Sequence, residues 1–191
     1  MGTRTVPFTR ELWIEHDDFR ENPPPKYFRL APGVEVRLRY GYVVKCVGVD
    51  HDKSSGEVVA VRCTFDPATR FGTPDGRKIK GTIHWVSADT ALPAEVRLYE
   101  PLFLTPKPDE ADDWRTQVNP ASLEQLTRCY VEPSVAVAEP GAHFQFERIG
   151  YFCLDPDSVP GRPVFNRTVA LRDTWAKIEA GSPAAKSSSK G

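Results

Sequence analysis

Eighteen prolines spread through 191 residues bar this chain from long helices. Proline removes a backbone donor and its ring clashes with the preceding turn, so each one ends or kinks a helix interior. Between the prolines lie short runs rich in Val, Ile, Tyr and Phe, with the alternation expected of half-buried strands. The longest, residues 34–49, reads Val-Glu-Val-Arg-Leu-Arg-Tyr-Gly-Tyr-Val-Val-Lys-Cys-Val-Gly-Val, with a bend expected at Gly41. Residues 50–56 carry polar turn chemistry and residues 57–65 return, which predicts a hairpin.

The remaining runs extend the same reading. Residues 8–15 predict a strand around Leu12, Trp13 and Ile14, followed by a short helical turn capped at Asp17-Asp18. Further strands are expected at 81–87, 94–100, 127–131, 143–154 and 163–171, with 102–104 extending the sheet. The acidic stretch 109–125 suits two short helical turns, with Pro120 at a first helical position. From Ala180 the Gly, Ser, Pro and Ala content predicts a flexible tail. The expected fold class is therefore mainly β: two small antiparallel β-barrels with short helices, at 1–82 and 83–178, and a tail at 179–191.

Charge and motif content narrow the function classes. A formal net charge of −1 argues against bulk electrostatic binding of a polyanion. The distribution is uneven, +3 over residues 1–80 (14 basic, 11 acidic) and −4 over 81–191 (11 basic, 15 acidic), so such a site must be local. Lys26, Arg29, Arg37, Arg39, Lys45, Arg77, Lys78 and Lys80 are the candidates, and a solvated face is the competing reading. Cys46, Cys63, Cys129 and Cys153 are far apart and His16, His51, His84 and His143 are scattered, so neither set has metal-ligand spacing. Buried free thiols and a hydrogen-bonded structural His84 are expected instead. The sequence has no glycine-rich phosphate loop and no nucleophile elbow, and the pairs Asp17-Asp18 and Asp112-Asp113 do not converge on one bond. No apolar run reaches the roughly 20 residues that span a bilayer. Without an apolar signal core, a cytosolic location off the membrane is expected.

One segment points toward nucleic acid. In Phe144-Gln145-Phe146-Glu147-Arg148-Ile149-Gly150-Tyr151-Phe152, rings alternate with Gln, Glu and Arg. A strand here would turn its rings to one face and its base-reading groups to the other.

Taken together, several segments resemble the C-terminal anticodon-binding region of glutaminyl-tRNA synthetase, a class I aminoacyl-tRNA synthetase. They are Val6-Pro7-Phe8 with Leu12-Trp13-Ile14, residues 27–30, 35–39, 75–87 and 95–99, and the motifs between Phe144 and Trp175, all in family order. The resemblance implies two β-barrels that read the tRNA anticodon. By position, Arg29 resembles the reader of the third anticodon base, a guanine, and Arg39, supported by Arg37, the site for the first base. Gln145 and Arg148, with Glu147 beside them, resemble the pocket for a central uracil, with Arg172 and Thr174 as nearby supports. Lys26, Arg77 and Lys78 are candidate contacts to the tRNA backbone. Arg can donate two parallel hydrogen bonds to a guanine edge, which suits these roles. The alternative reading, in which these arginines pair with Glu35 or Asp groups across a sheet, stays open.

The implied partners are glutamine tRNA and, if the chain is a fragment, the catalytic domain of the same enzyme; a monomer is expected. The family's ATP-binding signatures lie upstream and are absent here, so no cofactor is expected in this chain, ATP and magnesium belonging to that other domain. Part of the central-base pocket is also expected to come from upstream residues. Phe28, Lys26 and Tyr40 stand where some members carry other types. The equivalent region of a eukaryote-type glutamyl-tRNA synthetase, or a non-catalytic RNA- or protein-interaction barrel, are the alternatives.

Overall fold

A computed structural model describes residues 3–171. Contacts divide the chain into two compact units, 1–91 and 92–191. The approximate boundary expected at residue 82 falls inside a strand of the first unit, Gly81–Ile83. Strands dominate both units, and the helical segments among the described residues are 3-10 turns of three to five residues. Three of these turns, Pro67–Thr69, Pro108–Glu110 and Pro133–Val137, have proline in the first turn, where its missing N–H costs nothing.

The first unit contains β1 (Leu12–Trp13), β2 (Glu35–Leu38), β3 (Val43–His51), β4 (Val58–Asp66), β5 (Gly81–Ile83) and β6 (Val86–Ser87). A four-stranded sheet has the order β4-β3-β2-β5, and β1 pairs β6 separately. Leu30, Val36, Leu38, Val44, Cys46 and Ile83 form its buried core. The long β-rich run breaks where the glycine suggested. Leu38 and Gly41 close a turn, with the Gly41 N–H on the Leu38 carbonyl at 2.8 Å, and Tyr40 takes φ +59°. Around Leu12 only two residues pair, because Phe8 turns inward onto Tyr42, Phe65 and Trp85, with ring centroids 4.9, 5.3 and 5.7 Å away. His84 does have a structural partner, its Nε2 lying 3.1 Å from the Glu15 carboxylate.

The second unit contains β7 (Leu92–Tyr99), β8 (Leu123–Val131), β9 (His143–Phe146), β10 (Gly150–Leu154) and β11 (Val164–Ala170), in the order β8-β7-β11-β10-β9. Ala94, Val96, Val131, Val135, Phe152, Leu154 and Phe165 fill its core. The expected helical turn starting at Pro120 does not form. There the Asn119 side chain accepts the Ala121 N–H at 3.0 Å, and this Asx turn leads directly into β8. Each of the two larger sheets also carries one parallel pair, β2 with β5 and β7 with β11, among otherwise antiparallel strands. Of the four free cysteines only Cys46 is buried. Its register partner Cys63 is exposed because β4 is an edge strand.

No helix among the described residues is long and apolar enough to cross a membrane. Nor do the described residues hold three or more His, Cys, Asp or Glu placed to bind a metal ion.

Candidate nucleic-acid interface

In the first unit the candidate residues fall into three settings. Arg29 lies against the 3-10 turn His16–Asp18: Nη1 donates to the Asp17 carbonyl at 3.2 Å and Nε sits 3.4 Å from the buried Asp18 carboxylate. Tyr27 closes the same corner through its hydroxyl, which donates to the Asp17 carbonyl at 2.9 Å. Burial pushes that phenol up to about 12, so it stays protonated and a donor. The Arg29 guanidinium is thus oriented before any ligand arrives.

Arg37, within β2, and Arg39, in the turn that follows it, line one open cavity. Their chemistry differs. The Arg37 Nη1 donates to the carbonyls of Gly41 at 3.2 Å and Thr69 at 2.8 Å, and Nη2 donates to Gly72 at 3.0 Å. Arg39 lies just past the end of β2, exposed, with its guanidinium 4.9 Å from the Tyr40 ring centroid. Arg70 and Phe71 line the same cavity from the loop after β4, and no carboxylate joins them.

A second cavity of this unit is lined by Tyr27, Phe28, Lys45, Lys78 and Lys80 together with Glu35. Lys80 lies 5.3 Å from the Phe28 ring centroid. Lys26 is exposed next to Tyr27, with φ +67°. Arg77 takes a different role from its neighbours. Its Nη1 hydrogen-bonds Asp75, its Nη2 meets Asp66 at 2.6 Å, and its Nε lies 3.2 Å from Glu35 without hydrogen-bond alignment. Hydrogen bonds from Arg77 hold the Asp66 and Asp75 carboxyls below the usual range, and those carboxylates in turn push the guanidinium upward. In the free protein, Arg77 is therefore neutralised by three carboxylates and ties down the loop that carries Lys78.

In the second unit the segment 143–154 forms a hairpin. Phe144 and Phe146 turn inward: Phe146 stacks on Phe152 with centroids 4.5 Å apart, while Phe144 and Phe146 meet Phe165 edge-on at 5.7 and 5.1 Å. Gln145 is exposed on the opposite face, across from the half-exposed Tyr151. The predicted division of rings and polar groups between two faces therefore holds for β9. Glu147 and Arg148 leave the strand for the hairpin loop, where Arg148 takes φ +70°. Gln145 thus projects from the sheet and Arg148 from its rim. The last described residue, Leu171, donates its N–H to Ile149 in this loop at 3.1 Å. Arg172, Thr174 and the expected tail lie outside the described residues.

Arg70, Phe71 and Tyr151 were not signalled as candidates by the sequence. The available clue for Phe71 is an aromatic residue in a loop of Pro, Gly and Asp, and Tyr151 is found only once hairpin register is known.

Comparisons with known proteins converge on one family. The description "tRNA synthetases class I (E and Q), anti-codon binding domain" matches residues 1–66, and a second domain of the same description matches 82–155. The chain is 59% identical to glutamine–tRNA ligase of Bradyrhizobium diazoefficiens over 177 residues, which is 92% of this chain and 31% of that protein. It is also 59% identical to glutamine–tRNA ligase of Nitrobacter hamburgensis over 180 residues (94% and 32%), and 56% identical to that of Vibrio campbellii over 181 residues (94% and 32%). The chain therefore spans about a third of the length of the curated relatives it matches. With two such domains in succession across this all-strand framework, the chain belongs to the anticodon-binding domain family of the class I (E and Q) tRNA synthetases.

Proposed function

We propose that this chain reads the anticodon of glutamine tRNA as the anticodon-binding part of a glutamine–tRNA ligase. The supporting observation is that relatives named glutamine–tRNA ligase match at 52–59% identity across 92–94% of this chain. ATP-dependent glutaminylation, with its ATP and magnesium, is assigned to a catalytic domain outside these residues. Arg29 reads the third base, Arg39 the first, and Gln145 with Arg148 the central one, with Glu147 beside them. Arg172 and Thr174 support that last site. Lys26 and Lys78 contact the backbone, Arg77 acting through the loop it holds. The charge pattern fits base reading at discrete points, since the chain has no net positive excess to hold RNA by attraction alone.

Titrating the chain with anticodon stem-loops of glutamine and glutamate tRNA at two salt concentrations tests this reading. Tighter binding of the glutamine stem-loop is expected. Substituting Arg39→Ala should lower discrimination at the first anticodon base by roughly 5- to 160-fold, the range of about 1–3 kcal/mol for one bidentate contact. Equal affinity for all anticodons would overturn the assignment. Preference for the glutamate stem-loop would move it to the glutamyl branch of the same family.

A further inference from the structure

We infer that Tyr40 and Phe71 form an aromatic pincer, set by Arg37, that stacks the nucleobase presented to Arg39. The inference rests on the anticodon reading above and adds residues to it. Both rings are large apolar surfaces left in water, Tyr40 at 77% exposure and Phe71 at 93%. Exposed aromatics on two separate loops line one cavity together with Arg37, Arg39 and Arg70. A guanidinium flanks each ring, Arg39 at 4.9 Å from the Tyr40 centroid and Arg70 at 5.2 Å from that of Phe71. A cationic, carboxylate-free cavity with exposed rings matches an unstacked base and its phosphate, since every base has a π-face to stack.

Arg37 is what brings the two loops together. Its three hydrogen bonds run to Gly41, beside Tyr40, and to Thr69 and Gly72, on either side of Arg70 and Phe71. Thr69 is itself fixed: its hydroxyl donates to the Asp66 carbonyl at 2.6 Å and accepts the Val43 N–H at 2.8 Å. Tyr40 is held at φ +59°, a conformation that a bulky side chain seldom adopts. Strain of this kind collects where a side chain must be presented in one direction. The Trp85 indole N–H, donated to the Arg39 carbonyl at 3.0 Å, secures the same turn. Arg37 is thus a positioning residue, while the rings make the contact.

The test uses the full chain and a glutamine anticodon stem-loop carrying 2-aminopurine at the first anticodon position, whose emission falls on stacking. Binding to the unaltered chain should change that emission. Phe71→Ala and Tyr40→Ala should each abolish the change and weaken binding roughly ten-fold, whereas Phe71→Trp should retain both. Substituting Arg37→Lys should lose the signal as well, because an ammonium cannot span three carbonyls in the plane a guanidinium uses. Thermal melts check that the variants fold, and both ring substitutions are at exposed positions. Unchanged emission and affinity in Phe71→Ala and Tyr40→Ala would overturn the pincer. An emission change shared equally by stem-loops with unrelated anticodons keeps the pincer and overturns the anticodon reading. No emission change with any stem-loop overturns the pincer, and if the glutamine stem-loop is still preferred, the anticodon reading survives without it.

Discussion

At Gly81 a side chain is excluded by contact. A Cβ there would overlap the Phe28 carbonyl oxygen and come within 3.0 Å of both the Phe28 carbonyl carbon and Val36 Cγ1. The close approach joins β5 to the residue that precedes Arg29, so packing and site share one position. Replacing Gly81 by Ala should destabilise the chain by about 1–3 kcal/mol, the usual cost of overpacking a filled space. In a unit of this size that corresponds to a fall of several degrees in Tm. The variant should also lose discrimination at the third anticodon base, because Phe28 must move and Arg29 follows it. A thermal melt paired with titration of third-base variants separates the two effects; unaltered discrimination would show that Arg29 does not depend on this contact. Arg77 and Arg37 teach a related lesson. Both are basic residues in a family of RNA-binding domains, yet one is matched by three carboxylates and the other is hydrogen-bonded to three backbone carbonyls. Neither fate is visible in a count of charges.

Among the elements, the hairpin of β3 and β4 turns on Asp52. Its carboxylate accepts from the Ser54 hydroxyl and from the Ser55 and Ser54 N–H groups, which lowers its pKa to about 2 from an ordinary 3.8. A carboxyl depressed in the folded state stabilises the turn above its unfolded pKa and ceases to do so as pH falls through the folded one. Amide exchange at Ser54 and Ser55 should therefore quicken as pH drops from about 4 to about 2, and Asp52→Ala should remove that transition. If both amides exchange at a constant intrinsic-corrected rate across this window, the turn is held by something else. In the second unit Phe165, fully buried beneath Phe144 and Phe146, supports the hairpin that carries Gln145. Phe165→Ala should cost about 3–5 kcal/mol, seen as a lower denaturant midpoint. The sequence made such local features legible. Alternation placed Phe144 and Phe146 inward and Gln145 outward, and polar residues at 50–56 marked the turn between β3 and β4. The parallel pairings of β2 with β5 and β7 with β11 could not be read, because nothing in a strand's own pattern names a partner so distant in sequence. For the same reason the cavity shared by Tyr40 and Phe71 was hidden: it exists only once Arg37 joins two loops.

For the whole molecule, a formal net charge of −1 makes salt the sharpest discriminator between holding RNA and reading it. A binder dominated by phosphate contacts, with six to ten of them, loses affinity by about three to five orders of magnitude between 50 and 200 mM salt. Here the lysines outside carboxylate networks near the candidate sites are Lys26, Lys45, Lys78 and Lys80, all exposed. Four phosphate contacts on single-stranded RNA give a slope of log K against log salt of about −3, and a loss of roughly fifty-fold over the same interval. Lys78→Ala should flatten the slope by about 0.7 and weaken all stem-loops alike. Arg39→Ala should instead change the preference among anticodons, because its contribution depends on the identity of the base it meets. Titrations of both variants at four salt concentrations decide the matter. A slope steeper than about −4 would mean that phosphate attraction carries the binding and that the arginines of β2 and its turn serve charge rather than sequence.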